Sequence, residues 1–148
     1  MILELIRIRH DGQAIDGQLI ADGQKLCDTA ENSLSCLPAG TYIVERHYCK
    51  QYGRYVPKIL AGVSTCAKCP RLKGIVSNNT PMPCVCHQLK MGNGIYKRLD
   101  GSIIIGTAIV PGCLMFTRNP YELLSERIRK IAGRGNLITL TIKEDYKQ

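Results

Sequence analysis

The residues best suited to chemistry in this sequence are cysteines. Four of the eight cysteines lie within 21 residues as two pairs, Cys66-x-x-Cys69 and Cys84-x-Cys86, and His87 follows directly. The Cys-x-x-Cys spacing lets two thiolates contact one tetrahedral Zn²⁺ at about 2.3 Å. The second pair would supply two further thiolates, or one thiolate and the imidazole of His87. The sequence therefore predicts a structural zinc site, with ordinary reduced thiols as the alternative.

A second pattern places aromatic rings next to cations. Tyr48, Tyr52 and Tyr55 are interleaved with Lys50 and Arg54. Such rings stack on single-stranded bases and such cations pair with phosphates, which makes Lys50, Tyr52 and Arg54 candidate binding residues. The alternative is a strand end and a turn whose tyrosines pack on a sheet with their hydroxyls in water.

A third candidate for binding is the turn Gly92-Asn93-Gly94. Two glycines around an asparagine tolerate positive φ, and a turn of this kind can direct backbone N–H groups at an anion. Asn93 is therefore added to the candidate binding residues. The alternative is a turn with no ligand.

The charge of the chain favours anionic partners. The net charge is +8, but residues 1–40 carry three basic and six acidic side chains, whereas residues 41–148 carry seventeen basic and six acidic ones. A basic surface of this kind attracts nucleic acid or an anionic cell-wall polymer. A solvated surface with an excess of Lys and Arg is the alternative explanation.

Length and composition limit the class of protein. With 148 residues, 45% hydrophobic and 22% charged, the chain fits one domain over residues 1–148 and excludes disordered, collagen-like and coiled-coil classes. No apolar run reaches the roughly 18 residues of a membrane span, so none is expected. Glu4 and Arg7 interrupt the apolar N-terminal segment, which does not suit a signal peptide. The expected location is the cytoplasm.

The elements that must position these candidates are mostly strands. Asp22-Gly23 suits the tight type I′ turn of a hairpin, because both central positions of that turn need positive φ. The predicted fold is α+β and mainly antiparallel β, a meander or partly closed sheet with one C-terminal helix packed on it. Alternating or β-branched segments predict strands at residues 2–9, 18–21, 24–27, 41–48, 101–106 and 136–142.

The helix has sequence signals at both ends. Asn119 is the predicted N-cap, Pro120 suits the first helical position, and Glu122 completes an Asn-x-x-Glu capping box. Gly133 and Gly135 predict its end.

The middle of the chain lacks sustained periodicity. Residues 51–81 are rich in Gly, Pro, Ser, Asn, Lys and Cys and predict an irregular, cysteine-bearing insertion. The four remaining cysteines are isolated and are interpreted as free thiols: Cys27, Cys36, Cys49 and Cys113.

The most distinctive text is Gly92-Asn93 followed by Asp100-Gly101-Ser102-Ile103-Ile104-Ile105-Gly106. Together with the Asp22-Gly23 hairpin, residues 38–42 and the closing helix and strand, it resembles a family of small domains of unknown function from phages, prophages and gut anaerobes. The resemblance runs in order along nearly the whole chain. It implies a fold of the kind described above and no particular activity.

The commoner motif of that family resembles in turn the His and Gly-Cys motif of L,D-transpeptidases, which act on cell-wall peptides. The resemblance implies His87 as the base and places Ser102 where the nucleophilic cysteine would stand. This chain departs from the motif, because four residues separate His87 from Gly92 and a serine replaces the thiol. A serine hydroxyl needs a well-placed base and an oxyanion hole to attack an acyl carbon. The alternatives are a hydrogen-bonded structural imidazole and a small residue at a strand start.

These observations favour a non-catalytic binding or structural accessory protein of a phage or mobile element, held together by zinc. One alternative is a diverged acyl transferase or hydrolase that acts on cell-wall peptides through His87 and Ser102. The other is a small basic nucleic-acid-binding protein.

Overall fold

The computed structural model describes residues 1–49, 53–60, 87–91, 102–110 and 113–146. Strands dominate the described residues, and they contain one helix. In chain order the elements are β1 (Ile2–Asp11), β2 (Ala14–Ala21), β3 (Gln24–Asn32), β4 (Gly40–Cys49), β5 (Arg54–Leu60), β6 (Leu89–Lys90), β7 (Ile103–Val110), β8 (Cys113–Met115), α1 (Arg118–Gly133) and β9 (Thr139–Glu144).

The strands form one nearly closed sheet. The order is β5-β4-β9-β1-β2-β3-β7-β6, and β8 pairs with β7 beside this path. The two ends of the path meet where Lys58 and Gln88 form an antiparallel bridge. At the same point the N–H of Ile59 donates to the carbonyl of His87 at 2.8 Å.

The mostly β prediction is confirmed, but the sheet is mixed. β1 pairs with β9 in parallel, and β6 pairs with β7 in parallel. The other described pairs are antiparallel. The parallel pairing of β1 and β9 joins the two ends of the chain at the middle of the sheet.

Alternating apolar residues of facing strands fill the interior. Leu3 and Leu5 of β1 are fully buried and lie opposite Ala21 and Leu19 of β2. Side chains alternate between the two faces of a strand, so this register directs one apolar row of each strand inward. The other buried members of the cluster are Cys27, Leu37, Val44, Ile59, Leu89, Ile103, Ile105, Tyr121, Leu124, Ile128, Ile138, Leu140 and Ile142.

The predicted hairpin turn between β2 and β3 is confirmed. Asp22 and Gly23 have φ of 48° and 85°. Both values lie in the left-handed region that a type I′ turn requires. The carboxylate of Asp22 also accepts a hydrogen bond from the backbone N–H of Ile2 at 2.9 Å, which ties the turn to the start of β1.

The predicted helix is confirmed, but its predicted capping box is wrong. The helix begins at Arg118 with Thr117 as its N-cap, and no side-chain capping hydrogen bond forms. Asn119 therefore lies inside the first turn. Glu122 instead accepts a hydrogen bond from Nε of Arg118 at 2.9 Å. The sequence interpretation overlooked that Arg118 and Glu122 form an i,i+4 pair of opposite charge on the helix surface.

The predicted irregular insertion is wrong at its beginning. Arg54–Leu60 forms β5, and this strand pairs antiparallel with β4 from Ile43 to Cys49. The turn between them includes Gly53, with φ of 66°. Pro57 lies inside β5. Proline lacks the N–H that a strand donates to its neighbour, so its presence argued against a strand here. Residues 61–81 lie outside the described residues.

Candidate functional site

Most of the predicted site residues lie outside the described residues, so the predictions made for them stay predictions. They are Cys66, Cys69, Cys84 and Cys86 of the zinc site and Lys50, Tyr52 and Asn93 of the binding set. Within the ranges that the structure describes, no group of three His, Cys, Asp or Glu side chains is arranged to hold a metal ion. As predicted, the isolated Cys27, Cys36, Cys49 and Cys113 form no disulfide within the described part of the chain, and Cys27 and Cys49 are buried.

His87 and Ser102 lie near the start of the β6–β7 pair, where Ser102 contacts Gln88, the residue that follows His87. The hydroxyl of Ser102 is buried, at 4% exposure, and accepts a hydrogen bond from the backbone N–H of Gln88 at 3.3 Å. Within the described part of the chain, Nδ1 of His87 is buried and makes no hydrogen bond. Leu89 and Ile103 both face the interior. Alternation therefore places His87 on the inner side and Ser102 on the outer side. Their acyl-transfer role stays a prediction.

The candidate site is built on the hairpin of β4 and β5, to which the predicted binding residue Arg54 belongs. Tyr48 and Tyr55 lie directly opposite each other on this hairpin. Their rings pack edge to face, with centroids 5.2 Å apart and planes at 73°. Both tyrosines are about half exposed, at 48% and 50%. Cζ of Arg46 lies 3.7 Å from the centroid of the Tyr55 ring, a cation–π contact.

The helix α1 forms the other wall. Tyr121, Leu124 and Ile128 are its buried residues, at the i, i+3 and i+7 spacing of one helix face. Cζ of Arg54 lies 5.8 Å from the centroid of the Tyr121 ring, so Arg54 reaches from the hairpin to the helix. Between hairpin and helix is a cavity of about 330 Å³, which we call the hairpin–helix groove. It is lined by Arg46, Tyr55, Val56, Pro57, Tyr121, Glu122, Ser125, Glu126, Ile128 and Arg129.

The carboxylates of the groove are already paired with arginines of α1. Glu126 accepts hydrogen bonds from Arg129 at 2.6 and 3.0 Å. This contact holds the pKa of Glu126 below its ordinary value, and the nearby charges of Arg129, Lys130 and Arg46 add to the effect. Among the described residues Arg46 makes no ion pair within 4 Å. The groove therefore presents the positive charge of Arg46 next to exposed aromatic rings.

Ser125 adds a polar group to the helix wall. It lies one turn after Tyr121 and lines the groove. Its Oγ is buried and makes no hydrogen bond within the described part of the chain. A serine in a helix often donates to the carbonyl four residues earlier, and this one does not.

A buried polar cluster, centred on Arg7, lies apart from the groove. Arg7 is 1% exposed, and its Nε and Nη2 each donate to Glu31 at 2.9 Å. Nη2 also donates to the carbonyl of Leu37 at 2.5 Å, and Nη1 donates to Glu144 at 3.2 Å. All three guanidinium nitrogens are thus satisfied. The cluster ties β1, β3, β9 and the segment before β4 together, a structural role.

Burial and pairing act against each other in this cluster. Desolvation opposes the charge of Arg7, but the hydrogen bond and charge of Glu31 outweigh it and raise the pKa of the guanidinium. For Glu31, burial raises the pKa of the carboxyl, and Arg7 opposes that shift. Each of the two charges is stabilised by the other, because neither is exposed to water.

Sequence reasoning found Arg54 and the tyrosines of the hairpin but missed Arg46, Tyr121 and Ser125. Arg46 lies two residues before Tyr48 on a strand, and this spacing signals a shared face. No comparable signal links Tyr121 and Ser125 to a hairpin more than sixty residues away. Arg7 had a signal, since it continues the inward-facing row of Leu3 and Leu5.

In the part of the chain that the structure describes, no helix combines the length and the apolar character needed to cross a membrane. Comparison with protein-family models, with curated proteins and with solved structures gives no match to this chain.

Proposed function

We propose that this is a non-catalytic binding protein that holds single-stranded nucleic acid at the hairpin–helix groove. The observation that carries the proposal is the guanidinium of Arg46 over the ring of Tyr55, with the half-exposed Tyr48 packed against the same ring. Single-stranded bases stack on tyrosine rings and on arginine planes whatever their sequence. Folded in this way, the hairpin offers such a platform at its surface.

Charge supports the same ligand. Arg46 lines the groove and Arg54 lies next to Tyr121 of its helix wall. The charges of Glu122 and Glu126 are paired with arginines of the helix. The chain as a whole carries a net charge of +8. Phosphates release counterions when they pair with such cations, so binding of this kind weakens as salt rises. An accessory role in a phage or mobile element is supported by the sequence resemblance alone.

The test is the affinity of the protein for a fluorescent single-stranded oligonucleotide, measured by anisotropy over a range of salt concentrations. Tyr55→Ala removes the stacking platform and is expected to weaken binding about tenfold. Tyr146→Ala is the matched control, because this tyrosine packs near His10 and does not line the groove. Equal losses in both variants, or binding that does not depend on salt, would contradict the proposal.

A further inference from the structure

Phe116 is held at the surface in an unusual backbone conformation. Its φ is 53°, in the left-handed region that bulky side chains rarely adopt, and its side chain is 69% exposed. The backbone on both sides of it packs closely on β7, because a Cβ added to Gly106 would lie 2.8 Å from the oxygen of Met115 and 2.7 Å from Cγ2 of Thr117. The fold therefore holds an apolar ring in water, although neither this backbone conformation nor the exposure of the ring favours folding.

Leu123 extends the apolar surface from Phe116 onto the helix. The two side chains line one cavity of about 550 Å³, together with Leu26 and Pro120. Leu123 is 54% exposed, and Met115, the residue before Phe116, is 50% exposed. Large apolar side chains that are exposed next to each other mark interaction sites, whereas single ones do not. We call Phe116 and Leu123 the apolar tip.

Cations follow the apolar tip along the helix. Arg127, Lys130 and the C-cap residue Arg134 lie four, seven and eleven residues after Leu123, so they project from the same helix face. Lys130 and Arg134 are exposed and make no ion pair within 4 Å among the described residues. Arg127 contacts Asp22 at 3.3 Å in a partly exposed pair. We call this row of cations with the apolar tip the outer face of α1.

An apolar tip in line with cations suits the surface of an anionic bilayer. Surfaces of this composition lie in the membrane interface, with apolar side chains among the acyl chains and Lys and Arg side chains at the headgroups. Each cation near an anionic membrane strengthens binding about fivefold. Nucleic acid attracts the same cations, but its phosphate backbone offers no apolar phase to the aliphatic side chain of Leu123. The combination therefore favours lipid.

We propose that the outer face of α1 binds the surface of anionic membranes, with Phe116 and Leu123 inserted between the lipids. None of the residues of this face lines the hairpin–helix groove. The proposal therefore adds a second binding surface and does not depend on the proposed nucleic-acid binding.

The experiment is co-sedimentation of the protein with lipid vesicles. One set of vesicles is phosphatidylcholine alone, and the other contains about one quarter of the anionic lipid phosphatidylglycerol. The wild type is expected to bind the anionic vesicles at least about tenfold more tightly than the neutral ones. Phe116→Asn removes the apolar ring and is expected to weaken binding to the anionic vesicles about fivefold. Asparagine tolerates positive φ, so this variant is expected to fold, which circular dichroism melting checks.

Leu34→Asn is the matched control for Phe116→Asn. Leu34 is also 69% exposed, but it does not line the cavity at the apolar tip. The loss of one exposed apolar side chain is therefore the same in both variants, and only the place differs. Leu34→Asn is expected to bind the anionic vesicles like the wild type.

The cations are tested by a double variant. Lys130→Gln together with Arg134→Gln is expected to weaken binding to the anionic vesicles by about tenfold or more. Arg9→Gln together with Lys143→Gln removes the same charge from β1 and β9, where both side chains are exposed. This control is expected to change binding by about twofold or less.

The outcomes separate this proposal from nucleic-acid binding. Equal binding to the two kinds of vesicle, or binding to neither, would overturn the membrane proposal. Equal losses in Phe116→Asn and Leu34→Asn would overturn the role of the apolar tip. Tyr55→Ala is expected to bind vesicles like the wild type, and a loss there as large as in Phe116→Asn would overturn the separation of the two surfaces. Vesicle binding by a wild type that binds no oligonucleotide would overturn the proposed function alone.

Discussion

The ion pair of Arg7 and Glu31 places one charge in the inward-facing apolar row of β1 and the other beside it on β3. Each side chain is 1% exposed, so neither charge is solvated if its partner is lost. Removing one member of a buried pair typically costs about 3–5 kcal/mol, because the other charge stays buried and uncompensated. Glu31→Gln is therefore expected to lower the free energy of unfolding by about 3 kcal/mol, measured by urea denaturation.

Glu144 provides the control for this prediction. It contacts the same guanidinium at 3.2 Å, but its side chain is 48% exposed. An exposed partner of this kind contributes about 1 kcal/mol or less, so Glu144→Gln should have a small effect. Similar losses of stability in the two variants would show that burial does not determine the strength of the pair.

The packing of neighbouring strands depends on a glycine in β2. A Cβ added to Gly17 would lie 2.6 Å from the backbone oxygen of Ile6 and 2.8 Å from Oγ1 of Thr29. The backbone of β1 must move to relieve the first contact. Gly17→Ala is expected to lower the free energy of unfolding by about 1–3 kcal/mol, the usual cost of overpacking, as measured by urea denaturation.

Gly133 at the end of α1 is the matched control for Gly17. A Cβ at this position meets nothing within 4 Å, and its φ is not positive. Alanine at a compatible helical position reduces the freedom of the unfolded chain, so Gly133→Ala should stabilise the protein by about 0.5 kcal/mol. Stabilisation by Gly17→Ala would contradict the close approach of β1 and β2 at this point.

Elements with a strong local signal were predictable, and those with a weak one were not. The β2–β3 hairpin was found because Asp22-Gly23 determines its own turn. β5 was missed because Pro57 interrupts the strand pattern, and its pairing with β4 is a long-range contact that local pattern does not show. The N-terminus of α1 was misplaced because Thr117, two residues earlier, also suits an N-cap, and because the surface pair of Arg118 and Glu122 was overlooked.

The candidate site was predictable only where its residues are close in sequence. Tyr48, Arg54 and Tyr55 share one hairpin, and their spacing alone indicated a cationic aromatic surface. Tyr121 and Ser125 belong to the same groove through the packing of α1 on the hairpin. Sequence spacing holds no information about such a contact, since it depends on where the helix docks.

The topology of the whole molecule was the least predictable feature. β1 begins the described fold and β9 ends it, yet they pair in parallel over Ile2–Arg7 and Thr139–Glu144. Local periodicity marks each of them as a strand but does not determine its neighbours. A strand shows the same alternation of apolar residues whether its neighbour is parallel or antiparallel. The mixed sheet is therefore determined by how the strands pack and not by their sequence pattern.

The contact that closes the sheet, between β5 and the segment before β6, is expected to open more readily than the central strands. Within the ranges that the structure describes, β5 meets the segment before β6 at the Lys58–Gln88 bridge, where the N–H of Ile59 donates to the carbonyl of His87. The central strand β1 is paired on both sides from Leu3 to Arg7. We call the contact between β5 and the segment before β6 the seam. Local opening breaks only the contacts of the region that opens, and among the described residues the seam has fewer hydrogen bonds than β1.

Hydrogen exchange of backbone amides, followed by NMR, measures this difference. The amide of Ile59 is expected to exchange at least about tenfold faster than the amides between Leu3 and Arg7 after correction for intrinsic rates. The amide of Val44 is the control, because it donates to Ile138 over a similar distance, 2.9 Å, beside the continuous β4–β9 ladder. If Ile59 exchanges as slowly as β1, the seam opens only with the whole molecule, and the sheet then behaves as a fully closed barrel.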